Sequence, residues 1–300
     1  MKAHELKVVV SLHAKTSEYH QMEAKAAEKS AKEHSFNASV VYAEGDALVQ
    51  QKQLLDLIQS APSNRPDVIM VDPFGTGMVR VAQEAVKAGI GWVVLNRDVD
   101  YVPELRENTQ VPVFAVTTNH LETGRIQARQ VNALLPQGGM ILYLQGAVGS
   151  PAAALRAQGM KEIKQPSVDL KTLNGNWMEE TAYEAIGKWL QLPTYREGSV
   201  KVVVAQNDFM AMGARRAFMQ VAHYAKHHAQ SAVKFLGCDG LEACGLSWAR
   251  KGWLKATVVC PPLAARAMDV LDGEVRQGMR APAVTFTEPV SFPQITELKG

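Results

Sequence analysis

The polar side chains that break the apolar runs of this 300-residue chain are Ser11, Asp72, Asn96 with Arg97, Thr118 with Asn119, Gln145, Asn176 before Trp177, Asn207 with Asp208, and Asp239. Each falls where a strand-like run gives way to a turn. Asn, Asp and Arg offer planar two-point hydrogen bonding, which suits neighbouring hydroxyl groups, while Tyr19 and Trp177 could cover the C–H faces of a ring. That mixture fits a neutral polyol better than a phosphate, which calls for a glycine-rich nest and lysine. Several of these residues have a second reading. Asp208 opens a helix-like run and reads as its N-cap, which leaves Asn207 as the ligand group of the pair. Arg97 and Asp239 could share a ligand or pair with each other. Asp72 precedes Pro73 and suits a turn, and Trp177 has a core reading beside its loop reading.

Competing chemistries find less support. "DPFGTGMVRVA" follows a strand-like run and opens a helix, with Asp98 some way beyond, but Arg80 stands where a dinucleotide fingerprint needs a very small residue. Its glycines read as a tight turn. His223, His227 and His228 contain an i, i+4 pair without the HExxH that a catalytic zinc site would show, and Lys226 lies among them, so a solvated helix face is expected. "GAVGSPAAA" lacks GxSxG and reads as a helix start. No Cys/His arrangement or carboxylate pair nominates a nucleophile or base. The expectation is a binding protein and not an enzyme, with no cofactor and no metal. Cys238, Cys244 and Cys260 form no CxxC; Cys238 and Cys260 end apolar runs and read as small core residues, a Cys238–Cys244 bridge being the minor alternative.

The elements that must carry these residues alternate from end to end. Val8–Ser11 precedes a helix from about Ser17 to Glu33; "ASVVYAEG", "PDVIMVDP" and "GWVVLNRD" follow, the first two each leading into a helical pattern. After "VPVFAVTTN" the alternation restarts with a helix over Leu121–Leu135. Strand-like runs "GMILYLQG", "VDLKTLNG", "VKVVVAQND", "VKFLGCDG" and "LKATVVC" come next, with helices between them. Repeated βα units with continuous apolar strands predict parallel sheets covered on both faces. A last helix over Leu263–Val275 and the tail "VTFTEPVSFPQITEL" are too short for a third domain and are expected to complete the two sheets. Three hundred residues also exceed one ordinary core. The 32 basic residues are interleaved with 30 acidic ones for a net charge of +2, which argues against a nucleic-acid surface. No run approaches the roughly 20 apolar residues of a membrane span.

Four segments taken together, "VVLNRDV", "VVVAQNDFMAMGARRAF", "FLGCDG" and "WLKATVVCPP", resemble in order and spacing the ribose-type periplasmic sugar-binding proteins. That family shares its fold with the effector domains of LacI-type regulators. The resemblance covers nearly the whole chain and implies an α/β type I periplasmic binding protein fold: two doubly wound Rossmann-like lobes with parallel sheets, joined by three hinge crossovers. The lobes are expected at residues 1–117 with 261–288 and 118–260 with 289–300. The implied function is that of a solute receptor for an ABC importer, binding a monosaccharide or related polyol in the interlobe cleft. Its partners would be the sugar and the membrane permease, and it would work as a periplasmic monomer. The alternative is a cytoplasmic regulator's effector domain, whose DNA-binding head would need about 60 residues before a first strand that here begins near Leu6. The family's ligand positions fall on Tyr19, His20, Asn96, Arg97, Trp177, Asn207 and Asp239, with Ser11, Asp72, Asn119 and Arg156 as further candidates. Three departures stand out: the family's helix arginine aligns with Ala154, two residues before Arg156, and Cys238 and Cys260 replace an aromatic and a polar residue.

Overall fold

The computed structural model describes residues 5–75, 77–107, 109–225 and 233–300, the side chains of 222–225 excepted. The side chains of His223, His227 and His228 therefore lie outside the described residues. The chain divides into two compact units: residues up to Thr118 with Pro261–Thr287, and Asn119–Cys260 with Glu288–Gly300.

The first unit is a parallel sheet wrapped by helices. Its elements are β1 (Lys7–Leu12), α1 (Glu18–Glu33), β2 (Asn37–Tyr42), α2 (Ala47–Gln59), β3 (Val68–Val71), α3 (Val79–Lys87), β4 (Gly91–Leu95), α4 (Tyr101–Glu107) and β5 (Val113–Thr118). The sheet runs β2, β1, β3, β4, β5, and is closed at the far edge by Val284–Thr287, which returns late in the sequence and pairs parallel to β5. Alternate strand residues feed opposite cores, which is why the strands read as unbroken apolar runs. Val68, Met70, Val93 and Leu95 pack toward α1 and the late helix Leu263–Gln277. Ile69, Val71, Trp92 and Val94 pack toward α2 and α3.

The second unit repeats the plan with α5 (His120–Leu134), β6 (Gly139–Gln145), α6 (Pro151–Ile163), β7 (Val168–Asn174), α7 (Glu179–Leu190), β8 (Val200–Ala205), α8 (Asp208–Ala225), β9 (Lys234–Leu236), the short α9 (Ser247–Arg250) and β10 (Thr257–Val259). The late helix and edge strand of the first unit are α10 and β11, and the last strand is β12 (Val290–Phe292). The parallel order is β7, β6, β8, β9. The run "LKATVVC" pairs antiparallel with β12 over Thr257–Val259 and runs parallel to β9 and the residues after it, with bridges Leu236 to Ala256 and Asp239 to Val259 and backbone bonds that begin with the Lys255 amide on the Phe235 carbonyl. Ile141, Tyr143, Val202 and Val204 face one core, and Leu142, Leu144, Val203 and Ala205 the other.

Two glycines set the rotation of α6. A Cβ on Gly124 would stand 2.0 Å from the Arg156 carbonyl, and one on Gly159 2.1 Å from the Leu121 carbonyl. Helices α5 and α6 thus meet backbone to backbone, and any larger residue at either point would push them apart. This contact fixes which face of α6 turns to the sheet, and Arg156 lies on it. A second interlock anchors α10: Glu23, buried in α1, accepts from the Leu263 and Ala264 amides at 3.0 and 2.8 Å, taking two of the donors that a helix N-terminus leaves open.

Candidate functional site

In the first unit, polar groups gather beyond the C-terminal ends of β1, β3 and β4, where parallel sheets place ligand groups. Asp72, buried at the end of β3, stands 3.3 Å from His13 Nε2 and 3.4 Å from His20 Nε2, one imidazole to each carboxylate oxygen. His13 lies in the β1–α1 loop, and His20 in the first turn of α1, whose N-cap Ser17 accepts from the His20 amide. The rings of His13 and His20 lie 4.6 Å apart, with Phe74 edge-on to His13 and Tyr19 edge-on to His20. Burial alone would lower the His13 imidazole, but the charge of Asp72 and its hydrogen bond raise it above the ordinary histidine value. Burial likewise works against an ionised Asp72, yet the two histidines hold its carboxyl well below the usual range.

Asn96 takes a φ of +64° just after β4, a conformation that Asn tolerates better than most residues. Arg97 then reaches back to donate to the Gly75 carbonyl at 2.9 Å, where Gly75 at φ +84° makes the expected tight turn. Ser11 is wholly buried and its hydroxyl accepts from Gln50. Gln50 also donates to the Asp72 carbonyl and accepts from the Phe74 amide, so the Ser11–Gln50 pair staples the ends of β1 and β3 together.

The second unit centres on Arg156, 6% exposed. Its guanidinium donates to the Gln206 carbonyl and to His120 Nδ1 at 3.4 Å. It stands 3.6 Å from Asp239 and lies 5.6 Å from the centre of the Trp177 ring. Asp239 is held at φ +96°; burial raises its carboxyl to about 6, against the pull of Arg156. Trp177, at φ +65°, presses on Gly146 so closely that a Cβ there would meet the indole at 2.1 Å. Cys238 and Cys260 bring their sulfurs to 3.8 Å beside Asp239, and the three cysteines are free.

The cap expected at Asp208 is supplied by Asn207. Asn207 is the cap: its Oδ1 accepts from the Met210 amide at 2.8 Å, and its Nδ2 donates to the Trp177 carbonyl at 3.0 Å. Asp208 turns away from its own helix, accepting from the Gly240 amide and Thr257 Oγ1 at 2.8 and 2.6 Å. Burial and the nearby Asp239 charge push its carboxyl well above the usual range. Asn caps as well as Asp does, so residue type could not separate them. Asn119 is likewise a cap, accepting from the Glu122 amide.

Arg156 is among the candidates, and it, not the aligned Ala154, is the buried one of the two on α6. Ala154 is exposed, and two residues on, roughly 200° around the helix, Arg156 supplies the buried cation. His13, Phe74, His120 and Gln206 are additions that the sequence reading missed. His13 and His120 sit within two residues of singled-out positions, and Gln206 stands directly before Asn207, so a reading of whole turns would have included them. Two cavities of about 580 and 520 Å³ lie elsewhere on the second unit, the larger beside Arg215 and Trp253 and the smaller beside Tyr183 and Gln220.

Two doubly wound parallel sheets, each carrying polar groups beyond its strand ends, give an α/β architecture with room for ligand groups at the strand ends. The chain belongs to the periplasmic binding protein domain family, whose model matches residues 8–273; this is a family of binding proteins, not of enzymes. Among its relatives, a D-apiose import binding protein of Actinobacillus succinogenes is 25% identical over 266 residues, 87% of this chain and 79% of the relative. The ribose import binding protein of Bacillus subtilis is 24% identical over 272 residues, 88% and 81% of the two chains. Among solved structures, an ABC transporter periplasmic solute-binding protein of Actinobacillus succinogenes with bound D-allose superposes with a TM-score of 0.81 at 21% identity, covering 96% of this chain and 97% of that one. The Caulobacter myo-inositol binding protein gives 0.77 at 21% identity, covering 97% and 94%. No helix among the described residues is long and apolar enough to cross a membrane.

Proposed function

We propose that the protein is the solute receptor of an ABC importer and binds a monosaccharide or related polyol. Both lobes would contribute groups and close over the ligand about the three crossings. The observation that carries this reading is Arg156, a buried guanidinium held beside the Asp239 carboxylate and the Trp177 ring. A planar donor next to a planar acceptor grips neighbouring hydroxyls, and an indole face covers the C–H surface of the same ring. Tyr19, His20, Asn96 and Arg97 complete the proposed ligand set. The named ligands of the relatives, apiose, ribose, allose and myo-inositol, are all polyhydroxylated and uncharged, which favours the same class here. A periplasmic location, a permease partner and a monomeric state belong to the same proposal.

The test is a panel of pentoses, hexoses and inositols in calorimetry, with Arg156→Lys and Asp239→Asn alongside. At least one member binds the wild-type chain and neither variant, while both variants keep their circular dichroism. A panel without binders, with a dinucleotide binding instead, overturns the reading.

A further inference from the structure

We infer that His13, His20 and Asp72 form a divalent transition-metal site of the zinc class. One ring nitrogen of His13, one of His20 and a carboxylate oxygen of Asp72 all lie within 4.8 Å of one another. The two nitrogens stand 3.3 and 3.4 Å from the carboxylate oxygens. Charge-assisted N–H···O⁻ bonds close to about 2.7–2.9 Å, so these contacts are long for hydrogen bonds. They match the spacing of two ligands on one ion: zinc–nitrogen and zinc–oxygen lengths of about 2.0–2.2 Å, opened to a tetrahedral angle, put the donors about 3.3–3.5 Å apart.

The surroundings agree. His13 also hydrogen-bonds the backbone of Pro73; proline has no N–H, so the imidazole is the donor and a carbonyl the acceptor. Metal-bound histidines are oriented in this way, the second ring nitrogen donating to a carbonyl while the first keeps its lone pair for the ion. His13 Nε2 and Asp72 Oδ1 are buried with no partner but each other, at 3.3 Å, a contact too long and poorly aimed to satisfy both fully. Asp72 supplies the negative charge that a divalent ion needs, while Arg97, the cation of the same loop cluster, donates to the Gly75 carbonyl. His13 keeps a side-chain exposure of 19% against 2% for Asp72, which leaves an approach from solvent on the His13 side. Two imidazoles and one carboxylate leave at least one position open on a zinc-class ion. That position would take a hydroxyl oxygen of the ligand, a clause that rests on the function proposed above.

The experiment is a titration with Co²⁺ alone, followed by visible absorption. Wild type develops the d–d bands of a four- or five-coordinate ion, and Zn²⁺ displaces them. His13→Ala, His20→Ala and the shape-conserving Asp72→Asn each abolish the bands, while His34→Ala, which removes a different His–Asp contact, keeps them. Circular dichroism verifies that each variant is folded. No bands in wild type, or bands that survive all three substitutions, overturn the site. Sugar calorimetry is then repeated with a chelator. Binding weakened by the chelator supports the hydroxyl clause, and binding unchanged by it overturns that clause alone. A site that takes cobalt in a chain that binds no polyol overturns the function proposed above and leaves the metal site standing.

Discussion

Replacing Glu23 by Gln should flatten the pH dependence of stability in the weakly acidic range. Glu23 is 2% exposed and joins α1 to the start of α10 through the Leu263 and Ala264 amides. Burial raises its carboxyl from an ordinary 4.5 to about 7, and the two amide bonds offset only part of that. The folded chain therefore holds the Glu23 proton over an interval in which the unfolded chain has released it. Since the folded state binds more protons there, stability falls as pH rises: the contribution is complete below about 4.5 and is lost as pH passes through about 7. At about 1.36 kcal/mol per pH unit, the interval corresponds to about 3 kcal/mol. Glutamine keeps an acceptor for only one of the two amides, a loss that does not vary with pH, and has no proton to lose. Urea denaturation at a series of pH values from 4 to 8 gives the stability of wild type and Glu23→Gln. Asp208 and Asp239 are also raised by burial, but they are present in both chains and cancel in the difference. Stability should fall more steeply in wild type than in the variant, by about 3 kcal/mol across the range. Parallel profiles would refute the assignment of a buried, neutral-leaning Glu23.

Asn207→Ala should cost about 1–2 kcal/mol in thermal denaturation, because it removes the cap on Met210 and the bond to the Trp177 carbonyl. Asn207→Asp should recover only the cap on Met210, since a carboxylate cannot donate to the Trp177 carbonyl. Gly124→Ala or Gly159→Ala should each cost about 1–3 kcal/mol by forcing α5 and α6 apart, and should weaken ligand binding through the displaced Arg156; a variant with unchanged melting temperature contradicts the close contact. Asp208→Ala should destabilise by about 1–3 kcal/mol, because it leaves the buried Gly240 amide and Thr257 hydroxyl unpaired. Asp208→Asn should cost less in the same assay.

The sheet architecture was legible because alternating burial writes itself into the strands: Ile69, Val71, Trp92 and Val94 feed one core, and Val68, Met70, Val93 and Leu95 the other, so helix-spaced patterns between unbroken apolar runs define the order of elements. The run through Thr257–Val259 was legible for the same reason: Leu254 and Ala256 are buried, and Ala256 pairs in parallel with Leu236. At the site, the turns were legible and the division of labour within them was not. Asn207 and Asp208 are chemically alike as caps, and their opposite roles come from Gly240 and Thr257, residues brought in from far along the chain. Arg156 rather than Ala154 faces inward because Gly124 and Gly159 fix the helix rotation, a tertiary effect with no local signature. The histidine pair on Asp72 was hidden for the same reason: His13 and Asp72 are 59 positions apart in sequence and meet only through the β1–β3 pairing.

Service of a polyhydroxylated ligand by Arg156 and Asp239 is the proposal on which the function rests. Calorimetry of the wild-type chain against the sugar and inositol panel, beside Arg156→Lys, tests it most directly. A member of the panel should bind wild type, and its heat should vanish in the folded variant, because lysine cannot reproduce the planar guanidinium fork. Binding of equal strength by Arg156→Lys, or no binder among the polyols, would contradict it.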